Sequence, residues 1–179
     1  MKHYYAIDLE SWVYPNLKEF HNLNQEARKK LDNGYIVDST LKLLEILDKH
    51  KTKLTFFVIG ELYEWYPDLI RKIKKAGHEI AYHTHTHILL KNSQIVKRQL
   101  ELSKKFLDEF KPVGFQAPMI YFTQDSYPIL KKYGFTYSSS VYHSNISNQS
   151  ISGVTEIPVS TVKYFGKADH LSWPRPMNF

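Results

Sequence analysis

The chain has 179 residues, 42% of them hydrophobic and 23% charged, which allows one domain with a single sizeable core and excludes an unstructured chain. It contains no cysteine, so a disulfide framework and a thiolate metal site are both excluded. The net charge of +6 comes from lysines spread along the chain, which reads as a solvated shell and predicts no nucleic-acid partner.

Tyr4-Tyr5-Ala6-Ile7 reads as a buried strand running into Asp8. An aspartate at that position is out of place in a signal peptide, and no apolar run approaches the roughly 20 residues that span a bilayer, so the expected location is cytoplasmic with no membrane span. Trp12 to Gly34 is polar and irregular, with some helix around Gln25 to Leu31. Asp38 or Ser39 can cap the next helix, whose apolar stripe includes Leu41, Leu44, Ile46 and Leu47. Leu54-Thr55-Phe56-Phe57-Val58-Ile59 is an apolar strand ending at Gly60. A helix from Glu61, interrupted at Pro67, resumes through Ile73 to stop at Gly77. Glu79 to Tyr82 is a short strand, Ser93 to Phe110 a helix and Val113 to Gln116 a further strand. A helix opened by Thr123 or Asp125 closes at Gly134, and Phe135 to Tyr137 and Thr155 to Val159 complete the set.

Strands alternating with helices imply parallel βαβ crossovers in one α/β domain covering residues 1–179. In such sheets ligands bind at the carboxyl ends of the strands. Asp8 and Glu10, His83 to His87, and Gln116 with Pro118 all fall at strand ends.

His83-Thr84-His85-Thr86-His87 puts two imidazoles four apart. On a helical turn both could reach one metal. In an extended segment all three would share a face, and a merely exposed cluster is a third reading. With nine histidines in the chain, about 0.4 such pairs arise by chance, so the spacing alone is a weak signal. Asp8-Leu9-Glu10 puts two carboxylates on one face of a strand, where one could hold a metal while the other takes a proton from water. A cap or surface turn is the bland reading of the same pair.

Order and context join these pieces. Ala6-Ile7-Asp8-Leu9-Glu10-Ser11-Trp12, Lys53 to Gly60, Ala76-Gly77-His78-Glu79-Ile80-Ala81-Tyr82-His83 completed at His87, Gly114-Phe115-Gln116-Ala117-Pro118, Gly134 to Val141, and Glu156 to Ser160 follow one another as in a known pattern. From Ile7 to about Val162 the chain resembles the polysaccharide deacetylase group (NodB homology, carbohydrate esterase family 4). The resemblance implies a distorted parallel (β/α)7-type barrel, incomplete here because relatives continue for another strand or two. It implies a metal-dependent hydrolase that removes an N-acetyl or formyl group from an amino sugar. Asp8 would be the general base, with Glu10, His83 and His87 holding a divalent metal, Zn²⁺ first and Co²⁺, Ni²⁺ or Fe²⁺ as alternatives. Thr84 would orient the histidine loop, His85 would not ligate, and a backbone N–H near Tyr121 would bind the oxyanion. Trp12, Pro118 and Tyr121 would line the groove for an N-acetylated carbohydrate.

Three departures stand out. Gln116 occupies the place of an arginine that bonds the base, Ser138 that of an aspartate, and the late histidine acting as general acid is missing. His170, near Trp173-Pro174-Arg175-Pro176, could substitute for that acid or line the groove; a surface role is the ordinary reading of such a histidine. These departures leave two alternatives to an active enzyme: a weak relative that binds metal and glycan or a partner, and a homo-oligomer in which a second chain completes the barrel.

Overall fold

The computed structural model describes residues 5–15, 17–143, 149–164 and 167–170, with backbone alone at His143 and from Thr161 onward. β1 (Ala6–Leu9), β2 (Thr55–Val58), β3 (Glu79–Tyr82), β4 (Gly114–Phe115) and β5 (Tyr137–Ser138) lie side by side in chain order. Each pairs in parallel with the next. The helices between them make those crossovers: α1 (Gln25–Asp32), α2 (Tyr35–Lys49), α3 (Gly60–Trp65), α4 (Pro67–Lys75), α5 (Ser93–Leu102), α6 (Lys104–Phe110) and α7 (Tyr127–Lys132). This is the mixed α/β, mainly parallel architecture expected from the alternation of elements. Among the described residues the sheet does not close, with β1 at one edge and β7 (Gln149–Ile151) at the other.

One layer of paired residues crosses the sheet from Leu9 through Val58, Tyr82, Phe115 and Ser138 to Glu156. Its first four members are buried and apolar in character, and Tyr82 packs against Phe106, Phe115 and Phe135 with ring centroids 5.8–6.1 Å apart. One residue further along, each chain leaves the sheet at Glu10, His83 and Gln116. Because side chains alternate between faces, the step past a core residue turns the next side chain to the other face. The register of the core therefore brings the polar strand ends to one level.

The sequence expectations differ from the structure in five places. The first strand, expected to be buried, lies at the open edge of the sheet with Tyr5 67% exposed. The second helix starts at Tyr35 behind Gly34, so Asp38 and Ser39 lie inside it and do not cap it. The helix expected over Ser93–Phe110 breaks at Ser103, whose hydroxyl is engaged by His85 Nδ1 and Tyr82 OH, each at 3.0 Å. The strand expected over Thr155–Val159 divides at Ile157-Pro158 into β8 (Val154–Glu156) and β9 (Val159–Tyr164), as a proline with no N–H to give a ladder would do. β8 pairs with β7 in an antiparallel hairpin, so the far edge is not parallel. Its turn residues Ser152 and Gly153 have φ of +52° and +77°, the paired positive values of a tight hairpin turn. β9 pairs in parallel with β6 (Tyr142–His143) and antiparallel with β10 (Lys167–His170) in a second small sheet. No described helix is long and apolar enough to cross a membrane.

The excursion between β1 and β2 is pinned at its far end. Ser11 Oγ donates to Asp32 Oδ1 at 2.6 Å, Tyr66 OH donates to Asp32 Oδ2 at 2.8 Å, and a buried ion pair joins Arg28 to Glu61. These contacts fix the chain immediately after Glu10 against α3 and α4. An unpaired member of the Arg28–Glu61 pair would be a buried charge, so both partners are required together.

Candidate functional site

Glu10, His83 and His87 meet just beyond β1 and β3. One ligand atom from each lies within 4.8 Å of the others. Glu10 Oε2 is 3.1 Å from His87 Nε2. His83 Nδ1 sits 3.0 Å from the Gln116 carbonyl, to which it can only donate, so its proton is on Nδ1 and Nε2 carries the lone pair. That Nε2 is buried and has no hydrogen-bond partner among the described residues. A buried lone pair aimed at a second imidazole and a carboxylate is the donor arrangement that a divalent cation satisfies.

The titration behaviour agrees. Burial lowers His83 to about 4 and, with His83 adding to the effect, His87 to about 3. Burial, and then the neighbouring Asp8 charge, push Glu10 up to about 8. With both imidazoles uncharged and Glu10 protonated, the 3.1 Å contact is a neutral one rather than an ion pair. Two neutral imidazoles and a carboxyl group without a cation are the protonation state from which a metal displaces a proton.

The loop carrying the histidines is neither helical nor extended. Thr84 and His87 have φ of +66° and +50°, conformations that side-chain-bearing residues seldom adopt. The kink at Thr84 sends His85 away from the other two, onto Ser103, so the three histidines do not share a face. The Thr84 hydroxyl, expected to orient the loop, has no hydrogen bond among the described residues. Gln99 of α5 does the holding: its Oε1 accepts from His85 N–H and Thr86 N–H, both at 2.9 Å, and from Thr86 Oγ1 at 3.2 Å. The sequence offered a signal for this residue. Gln99 falls on the stripe of Val96, Leu100 and Ser103, so a polar side chain interrupts the buried face of a helix.

Asp8 stands beside the trio, one residue below Leu9 on the open edge strand. The residue as a whole keeps solvent contact, while protein atoms crowding the carboxylate raise it to about 6. Gln116 is buried, and with its amide nitrogen turned toward Asp8 it donates to Oδ1 at 2.5 Å and Oδ2 at 3.2 Å. The other orientation sets two acceptors against each other. The donor that Gln116 offers is neutral, and burial keeps the proton affinity of Asp8 high.

Pro118 is buried and begins a short turn through Ile120 in which Met119 and Ile120 also have positive φ. Tyr121 and Trp12 are about half exposed, at 49% and 48%, and Trp12 rests edge-on against Phe20 at 5.5 Å. Tyr121 N–H already donates to Pro118 O at a long 3.3 Å, so as an oxyanion donor it would be shared. Tyr14 packs edge-on against His87 at 4.8 Å. His170 lies on β10, but its side chain is outside the described residues.

Behind this turn is a buried network that sequence reading missed. Ser140 Oγ accepts from Ala117 N–H at 2.9 Å and from Ser138 Oγ at 2.8 Å. Glu156 accepts from Ser140 N–H at 2.6 Å and from Tyr127 OH at 2.7 Å. Ser138 therefore faces this network.

The family model for polysaccharide deacetylases matches residues 30–138, more than half of the chain. The chain belongs to the polysaccharide deacetylase family. A peptidoglycan-N-acetylglucosamine deacetylase of Bacillus cereus is 27% identical over 157 residues, which cover 86% of this chain and 71% of the relative. Among solved structures, a Mycobacterium smegmatis protein assigned to the polysaccharide deacetylases superposes with a TM-score of 0.71 at 24% identity, over 90% of this chain and 58% of that one. A family 4 carbohydrate esterase from Streptomyces lividans, in complex with acetate, gives 0.53 at 22% identity over 59% and 56%. The chain thus spans little more than half the length of the solved structures it matches, and these two likenesses concern the fold.

Proposed function

We propose that the chain is a metal-dependent hydrolase that cleaves the amide of an N-acetylated (or N-formylated) amino sugar, releasing the carboxylic acid and a free amine. The observation that carries this reading is the meeting of Glu10, His83 and His87 at the ends of β1 and β3, with Asp8 and its Gln116 partner beside them. Membership of the family and the peptidoglycan-N-acetylglucosamine activity named for the Bacillus cereus relative support a glycan or glycan precursor as substrate.

Glu10, His83 and His87 would hold the ion, and Zn²⁺ suits two imidazole nitrogens and one carboxylate oxygen. When bound, the ion supplies Lewis-acid polarisation of the amide carbonyl and of water. Asp8 accepts the proton that water loses as its oxygen bonds to the carbonyl carbon. A carboxylate raised to about 6 is a stronger base than an ordinary aspartate and still largely ionised at neutral pH. Gln116 fixes the carboxylate without neutralising it. As the C–N bond breaks, the amine takes a proton, which Asp8 can return, with His170 as the alternative donor. Tyr121 N–H supports the developing oxyanion, and the Trp12 and Tyr121 rings offer faces on which a sugar can stack.

The test is metal content together with acetate release from N-acetylglucosamine oligomers, for wild type and His83→Ala. The reading expects near-stoichiometric metal and acetate release in the wild type, both lost in the variant. A wild type that takes up no Zn²⁺ on reconstitution overturns it.

A further inference from the structure

We infer that Gln99 is the positioning residue of the metal centre, setting the distance between His83 and His87 through the backbone that joins them. This rests on the metal reading above, but the observations behind it are separate.

Only three residues lie between the two histidines, and two of them give their N–H groups to the single Oε1 of Gln99 at 2.9 Å. Elsewhere the described backbone ties of the loop run through carbonyls and its first residue: His83 N–H to Val58 O at 2.9 Å, Gly60 N–H to Thr84 O at 2.8 Å, and Glu61 N–H to His85 O at 3.0 Å, while the His83 and His85 rings rest on Gln116 O and Ser103 Oγ, each at 3.0 Å. Those bonds fix the side of the loop facing β2 and α3. They leave the His85 and Thr86 amides with Gln99 as their acceptor. The loop is also closely packed, since a Cβ at Gly60 would come within 2.9 Å of His85 Nδ1. His85 and Gln99 are 6% and 3% exposed, so water is a poor substitute for the acceptor of the His85 amide, whereas Thr86 is only partly buried.

The positive φ at Thr84 and His87 gives the clamp its consequence. Such conformations persist only where the surroundings over-determine them. If Oε1 is removed, the two amides must find other acceptors, which the native kink does not offer, and the loop relaxes toward ordinary φ values. That changes the His83 to His87 separation, and the ion loses one imidazole or the other.

The experiment measures Zn²⁺ affinity by competition with a chromophoric chelator, alongside Co²⁺ absorption, for wild type, Gln99→Leu, Gln99→Met and Gln99→Glu. The apolar variants should bind Zn²⁺ about 10- to 100-fold more weakly, the usual effect of losing a partner that orients metal ligands. They should also show an altered Co²⁺ spectrum. Gln99→Glu, which keeps two acceptor oxygens, should stay closer to wild type than either apolar variant. Wild-type-like affinity and spectrum in both apolar variants overturn the proposal. Absence of Zn²⁺ binding by the wild type overturns the metal reading instead. Amide exchange then decides on the clamp: His85 and Thr86 N–H should exchange slowly in the wild-type protein, and loop-like rates at both overturn it whether or not the variants fold.

Discussion

Two kinked loops carry the candidate site, and they are held in different ways. The histidine loop after β3 is tied to a neutral amide oxygen, that of Gln99. The turn after β4 is tied through Ala117 N–H and Ser140 to the buried carboxylate of Glu156, which also takes the Tyr127 hydroxyl. Both loops contain two residues with positive φ, Thr84 and His87 in one and Met119 and Ile120 in the other. The shared feature is backbone held in an uncommon conformation by buried polar contacts from a distant part of the chain. The difference lies in charge. Next to imidazoles that must remain unprotonated the acceptor is neutral, whereas a carboxylate is used behind Pro118, where the groups held are a backbone amide and a tyrosine.

The largest effects should come from breaking the site itself, and they separate its two jobs. His83→Ala removes a ligand and should abolish both metal and turnover, as set out above. Asp8→Asn should leave Zn²⁺ stoichiometric while acetate release falls by about 10²- to 10⁴-fold, the range general acid–base catalysis supplies. Metal analysis and initial rates on the same preparation check this. Loss of metal in Asp8→Asn would instead make Asp8 a ligand.

The clamp behind the β4 turn should be next in size. Glu156→Leu leaves the Ser140 amide and the Tyr127 hydroxyl buried without their acceptor. At about 1–3 kcal/mol for each such group, thermal or urea unfolding should register a loss of about 2–6 kcal/mol. If the two clamps are independent, Zn²⁺ affinity in Glu156→Leu should stay within about threefold of wild type where the variant folds, and Glu156→Gln should recover most of the stability. A Zn²⁺ affinity as weak as that expected of Gln99→Leu would merge the two clamps into one unit.

The sequence made the outer frame legible and left the supports hidden, for a physical reason. Alternating apolar strands and amphipathic helices follow from local periodicity, so β1 to β5 and the helices between them could be placed within a few residues. Asp8, Glu10, His83, His87 and Gln116 sit at strand ends, and the order of motifs drew attention to them. Which carboxylate joins the histidines did not follow from spacing, because Asp8 and Glu10 share a face; the path of the chain after β1, fixed by Ser11 and Asp32, brings Glu10 to them. The network of Ser138, Ser140, Tyr127 and Glu156 was invisible for another reason. Its members come from three elements, and serine or tyrosine in a strand or helix carries no local mark of a partner 16 or 29 residues away. The β7–β8 hairpin was missed although Ser152-Gly153 is a plain turn signal, because the parallel pattern established upstream was extended past the point where it held.

The smallest effect concerns a histidine outside both clamps, and it sharpens what burial alone does to an imidazole. His78 is 4% exposed and packs edge-on against Phe56 at 5.2 Å, and its Nδ1 accepts from Leu54 N–H at 3.2 Å. Burial first, and then the Lys53 charge, lower its pKa below the ordinary value of 6.5. The accepting nitrogen must be unprotonated, so the neutral form is the one folding favours. The unfolded chain binds the proton more readily. Stability from His78 is therefore complete above the unfolded value of about 6.5 and is lost as pH falls through the lower folded value. His83 and His87 act in the same direction over a wider range, reaching down to about 4 and 3. Glu10 and Asp8, raised to about 8 and about 6, act in the opposite one: their contribution is present below the ordinary carboxylate range and disappears as pH rises through those values. Replacing His78 by asparagine keeps an acceptor near Leu54 N–H and removes only one titration. The slope of unfolding free energy against pH just below 6.5 should then be flatter than in the wild type by a fraction of one proton, measurable by urea denaturation at closely spaced pH values. An unchanged slope would mean that His78 titrates alike in both states, so that burial beside Phe56 is not what keeps this imidazole neutral.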